Sequence, residues 1–133
     1  MLREDTIGEV NIFNHPDFIA TFSSRGPVSP FYFKPDLVAP GVFVNTTSVN
    51  NYYNITSGTS YAAPHVSGSV ALLLNKNPEF SPEQIKSILM TTSDPVSDEY
   101  GERFNFNTGG AGRLNVTNAF KSEIIFLPPN LTF

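Results

Sequence analysis

A chain of 133 residues with 40% apolar and 15% charged side chains can build one domain around a real core, and its composition is that of a folded polypeptide. The formal net charge is -4 and the 8 Lys and Arg are scattered, so no basic stripe points to nucleic acid. With no cysteine, disulfides, thiolate metal sites and a cysteine nucleophile are excluded, and the longest apolar run, Val70 to Leu74, is far too short to span a membrane.

The opening MLREDTIGEV carries Arg3, Glu4, Asp5 and Glu9 and lacks the apolar core of a secretory signal. Any export signal is therefore expected in a part of the protein outside this sequence. Gly8 to Phe13 alternates like a short strand, and Asn14 to Asp17, with His15 inside it, reads as a turn. Ile19 to Phe22 suggests a second short strand ended by "SSRGP". Pro27, Pro30, Pro35 and Pro40 forbid a helix between Gly26 and Gly41. Within that stretch Asp36 to Ala39 is apolar enough for a buried strand, and Val42 to Val44 repeats the pattern.

From Tyr61 to Leu74 the side chains are Ala, Val, Leu and small Ser or Gly nearly all the way round. A helix apolar on every side predicts a buried central helix. Pro64 is compatible with it only if the helix begins near Ser60, and Asn75 to Pro78 ends it. Ser81-Pro82-Glu83-Gln84 has the spacing of a capping box with proline at the first helical position. Ile85, Ile88, Leu89 and Thr92 should form the inner face of that second helix. Residues 93 to 112 read as a polar, Gly-rich loop, and Asn115 as the cap of a last short helix through Phe120. Asn45, Asn54, Asn115 and Asn130 each begin an Asn-x-Ser/Thr sequon, a pattern compatible with glycosylation.

The chemistry concentrates in "SGTSYAAPHVSG", positions 57 to 68. Gly58 removes a side chain where another backbone could approach. Ser60 lies where the apolar helix begins, facing free backbone N–H groups and the positive end of the helix dipole. That setting suits developing negative charge, as acyl transfer demands. It equally suits an ordinary N-cap serine. A serine nucleophile also needs a base within hydrogen-bond reach. His65 lies about 140° round the helix from Ser60, at ~100° per residue, and cannot reach it. A packing role, with its ring hydrogen-bonded inside the core, is the better expectation. His15 reads as a surface turn residue.

This stretch resembles the nucleophile motif of the subtilisin-like serine proteases, usually Gly-Thr-Ser-Met-Ala-x-Pro-His-Val-x-Gly, with Tyr61 in place of the methionine. "FSSRGP" at 22 to 27 and "KPDLVAPG" at 34 to 41 resemble upstream pieces of the same family in the right order. "ALLLNKNPEFSPEQIKSILMTTS" and "GAGRLNVTNAF" are similar to its closing helices. The likeness runs from about residue 18 to 120.

The resemblance implies the C-terminal half of an α/β domain, three-layered with a mostly parallel sheet. Residues 1–120 would be the partial catalytic domain and 121–133 a linker or the start of a following region. It implies a serine endopeptidase in which Ser60 forms the acyl-enzyme. The Ser60 N–H would be one oxyanion donor, supported by Thr59. Thr56, Ser57 and Gly58 would border the bound peptide, and Tyr61 would stand on the leaving-group side. Asp36 belongs to a structural motif. The family's aspartate, histidine and oxyanion asparagine lie upstream of "FSSRGP" and nothing in residues 1 to 21 matches them, so the chain alone is expected to be inactive. An inactive module that binds a polypeptide or complements a protease half is the other reading. No cofactor is implied for the chemistry, although structural calcium is common in the family. The expected partners are a polypeptide substrate, the N-terminal half of the domain and, through the exposed helix, further copies of the chain. The expected location is outside the cell or on its surface.

Overall fold

In the computed structural model, which describes residues 18–28 and 33–129, the capping box at Ser81 forms as its spacing demands. The Ser81 hydroxyl accepts from the Gln84 N–H at 3.3 Å, and the Gln84 side chain accepts from the Ser81 N–H at 2.7 Å. With Pro82 opening the helix, α2 runs over Pro82–Thr91, preceded in the chain by α1, Thr59–Lys76. The short helices α3, Phe106–Gly109, and α4, Val116–Lys121, complete the set. Asn115 caps α4 by accepting from the Asn118 N–H at 2.9 Å.

The buried faces of these helices meet in one cluster of Leu73, Ile85, Ile88, Leu89, Leu114 and Ala119, against which Leu37, Ala39, Val66, Val70 and Ile125 pack. The inner face foreseen for α2 is therefore present, joined by the buried Ser87 and Met90. Helix α1 is covered on one side, as expected of a helix whose other sides would be covered by the N-terminal half of the domain. Only one stripe, Val66, Val70 and Leu73 at helical spacing, packs on the core. Ala63, His65, Ala71 and Leu72 stand exposed on the rest of the helix. Composition alone cannot say which sides of an all-apolar helix a given stretch of chain covers.

The strand content is small and mixed. An antiparallel hairpin joins β1, Val44–Thr47, to β2, Tyr53–Thr56, with Val44 opposite Thr56 and Thr47 opposite Tyr53. Its turn holds Asn50 and Asn51 at φ 59 and 60, a left-handed conformation that asparagine tolerates well. The parallel element among the described residues is a bridge between Val38 and Arg113, with Arg113 paired antiparallel to Asp94 on its other side. Val38 takes part in a bridge rather than in the longer strand predicted for 36–39, and a turn over 20–23, closed by the Ser23 N–H on the Ala20 carbonyl, stands in place of the strand predicted for 19–22. The predicted loop 93–112 is more ordered than its composition suggested, since it contains α3 and a second bridge, Ser97 to Arg103.

Two glycines let these pieces close up. Gly110 has φ 59, and a Cβ there would lie 2.6 Å from the Pro35 carbonyl oxygen. A Cβ on Gly41 would lie 2.9 Å from the Gly58 carbonyl oxygen and 3.2 Å from the Ala62 Cβ. Larger residues at either place would push the proline-rich segment away from its neighbours. Asp36 locks that segment to α2 by accepting from Lys86 at 2.8 Å and from Lys34 as well. Beyond α4 the chain stays on the body: the Phe126 N–H donates to the buried Ser87 hydroxyl at 2.9 Å. The predicted strand 8–13, His15 and the Asn130 sequon lie outside the described residues.

Candidate functional site

The hairpin and α1 meet at the stretch that the sequence singled out. β2 ends at Thr56, Ser57 links it to Gly58, and Gly58 caps α1. Thr59 and Ser60 are therefore the first two helical residues, one position earlier than the start expected from Pro64. Their N–H groups precede the first turn's hydrogen bonds and have no partner along the helix. The Tyr61 N–H bonds the Gly58 carbonyl at 3.0 Å, tightening the entrance. Pro64 lacks the N–H that would have bonded the Ser60 carbonyl, so the cost of a proline inside the helix falls on the same turn.

Ser60 is exposed, and no described residue hydrogen-bonds its hydroxyl. An exposed alcohol beside two N–H groups that have no partner among the described residues, at the positive end of an 18-residue helix, is placed where negative charge is stabilised. Thr59 is exposed next to it, and Thr56 is half-buried at the end of β2. The Tyr61 ring folds back over Gly58, so that a Cβ on the glycine would sit 3.4 Å from Tyr61 Cδ2. The structure thus gathers Thr56, Ser57, Gly58, Thr59, Ser60 and Tyr61 at one helix end. Ser57 differs from the others in being engaged already: its hydroxyl accepts from the Phe43 N–H at 2.9 Å.

His65 departs from expectation. It is exposed on α1 rather than packed in the core, and its Nδ1 donates to the Tyr61 carbonyl at 2.9 Å. Its ring is therefore turned along its own helix, and it is the sole histidine among the described residues. The charged groups lie elsewhere. Burial pushes the Asp36 carboxyl up, but the hydrogen bonds from Lys34 and Lys86 outweigh it and hold the group below its usual 3.8. Asp94 is held low by Asn115 first and Arg113 second, with N–O distances of 3.0 and 3.1 Å. Both sets tie loops to helices, and their hydrogen bonds run to residues other than those of the Ser60 turn.

Two features of the site escaped the sequence. Gly41 approaches the helix end closely, its carbonyl accepting from the Gly58 N–H at 2.8 Å; the "APG" ending of "KPDLVAPG" was the available signal. Phe43 adopts a left-handed backbone at φ 52, for which no residue in the sequence gave a signal, since phenylalanine disfavours it.

A family profile described as the Subtilase family matches residues 6–118. Minor extracellular protease Vpr of Bacillus subtilis is 37% identical over 122 residues, covering 86% of this chain and 15% of that protein. Subtilisin-like protease SBT1.6 of Arabidopsis thaliana is 38% identical over 131 residues, covering 81% of this chain and 17% of that protein. The CspB protease of Clostridium perfringens superposes with a TM-score of 0.66 at 34% identity, over 77% of this chain and 23% of that one. Fervidolysin from Fervidobacterium pennivorans, a keratinolytic enzyme related to subtilisin, gives 0.52 at 29% identity, over 62% of this chain and 14% of that one. The chain spans about a sixth of the length of these curated relatives. Its small mixed α/β fold corresponds to part of the subtilisin fold, and the chain belongs to the subtilase family.

Proposed function

We propose that the chain carries the nucleophile-bearing part of a serine endopeptidase, with Ser60 Oγ attacking the scissile carbonyl of a polypeptide to form an acyl-enzyme. The observation that carries this reading is the exposed Ser60 hydroxyl beside the Thr59 and Ser60 N–H groups, which no described residue bonds, at the mouth of α1. In this role the Ser60 N–H donates to the oxyanion and Thr59 supports it. Thr56 and Gly58 border the peptide, and Tyr61 flanks the leaving group. Curated relatives named as proteases support the reading.

The proton on Ser60 needs an acceptor, and the one described imidazole, His65, is bonded along its own helix. The base must come from elsewhere in the complete protein, and the isolated chain is inactive in this proposal. The exposed face of α1 supports a second half of the domain packing there, and in its absence self-association through that face. It also favours the other reading, a complementing module without chemistry of its own. The acyl transfer requires no cofactor. Among the described residues no three His, Cys, Asp or Glu stand close enough to hold a metal, so a structural calcium would draw on other residues. A place outside the cell or on its surface is proposed from the extracellular relative.

The test is labelling with a fluorophosphonate, which reacts only with an activated serine. The complete protein should be labelled at Ser60 and its Ser60→Ala variant should not, while the 133-residue chain alone should show no labelling above that variant. A complete protein that takes no label at Ser60 supports the non-catalytic module instead.

A further inference from the structure

The junction between the hairpin and α1 carries an irregularity that the attack on a peptide does not by itself explain. From the last ladder pair, Val44 with Thr56, the chain next closes with a hydrogen bond from Gly58 to Gly41 at 2.8 Å. The path from residue 44 back to 41 is three steps, but from 56 to 58 only two, so one strand holds an extra residue. That two-against-one count is a β-bulge, a device that bends a strand and re-aims the residues beyond it. A common form of bulge places a left-handed residue there, usually glycine. Here the left-handed residue is Phe43, at φ 52, where a bulky side chain is unfavourable. The group opposite is the Ser57 hydroxyl, accepting the Phe43 N–H at 2.9 Å. Strained backbone persists only where its surroundings over-determine it.

We propose that Ser57 is a positioning residue: its hydroxyl pins the Phe43 bulge, and the pinned bulge sets the Gly41–Gly58 contact that aims the Ser60 turn. Ser57 then acts through the backbone rather than by touching the peptide, unlike its neighbours Thr56 and Gly58. The inference rests on Ser60 being the nucleophile, and it deepens that reading by assigning the residue that preorganises it. Losing the acceptor lets residues 41–43 relax, and the relaxation reaches Ser60 through Gly58. Glycine at position 43 would hold the left-handed conformation without help.

The experiment uses the complete protein and compares Ser57→Ala, Ser57→Thr, and Ser57→Ala combined with Phe43→Gly. Peptide hydrolysis and fluorophosphonate acylation are measured beside thermal unfolding, with Ser60→Ala as the control. Ser57→Ala should lower kcat and the acylation rate about fivefold to tenfold, the size of one lost hydrogen bond, with KM changed less than about twofold. Ser57→Thr should keep most of the rate, and Phe43→Gly should restore most of what Ser57→Ala loses, a non-additive pairing across the bulge. A raised KM at constant kcat would overturn the proposal, because Ser57 would then be contacting substrate. A lowered Tm with unchanged kcat, or a loss that Phe43→Gly does not repair, would overturn it too. Activity surviving Ser60→Ala would instead remove the nucleophile reading itself, so the two failures are told apart.

Discussion

Leu72 and Leu73 are neighbours on α1 with opposite surroundings, and truncating each to alanine tests what covers that helix. Leu73 is 2% exposed within the cluster of Ile88, Leu89 and Leu114, so Leu73→Ala should cost about 2–5 kcal/mol through lost transfer energy and a cavity. Leu72 is 50% exposed. Full burial of a leucine contributes about 1.5–3 kcal/mol, so with half its surface already wet Leu72→Ala should cost about 1 kcal/mol in this chain taken alone. In the complete protein, where the proposed second half of the domain packs on α1, the same change should rise to the Leu73 range. Urea unfolding of the complete protein measures both, with the midpoint shift read at constant m. If Leu72→Ala remained several-fold milder than Leu73→Ala there, nothing would be packing on that face.

Other consequences are simpler to check. Ser81→Ala removes the acceptor for the Gln84 N–H and should lower stability by about 1 kcal/mol, seen as a drop in Tm. Because the Asp36 carboxyl is held below 3.8 by Lys34 and Lys86, its folded pKa lies under its unfolded one. Its contribution is therefore complete above about pH 3.8 and is lost as the pH falls through the folded value. Asp36→Asn should flatten that part of an acid-unfolding curve; an unchanged acid limb would show that Asp36 contributes nothing there. Ser87→Ala leaves the Phe126 N–H without its 2.9 Å acceptor and should loosen residues 122–126, read as faster hydrogen exchange at Phe126 while the core amides of α2 stay protected. Equal exchange in both forms would mean that the Ser87 hydroxyl does not hold the tail.

Local signals were legible from the residues. The capping box at Ser81, the cap at Asn115 and the inner face of α2 depend on neighbours within one or two turns, and they appear where the pattern put them. The family could be read the same way, because its motifs are contiguous strings that need no folding to be recognised. His65 was misplaced for the opposite reason: burial is decided by what packs from outside a helix, and an apolar helix carries no mark of which side is covered.

What the amino-acid order settled by itself was where α1 and α2 begin and that a serine stands at the mouth of α1, since caps, prolines and glycines act over a few residues. Only the folded arrangement decided that α1 would pack along a single stripe and that Gly41 would meet Gly58. It also decided that Ser57 would be committed to Phe43. Those contacts join residues distant in the chain, 17 positions apart for Gly41 and Gly58 and 41 for Leu73 and Leu114, and a left-handed phenylalanine is tolerated only because the surrounding bonds hold it.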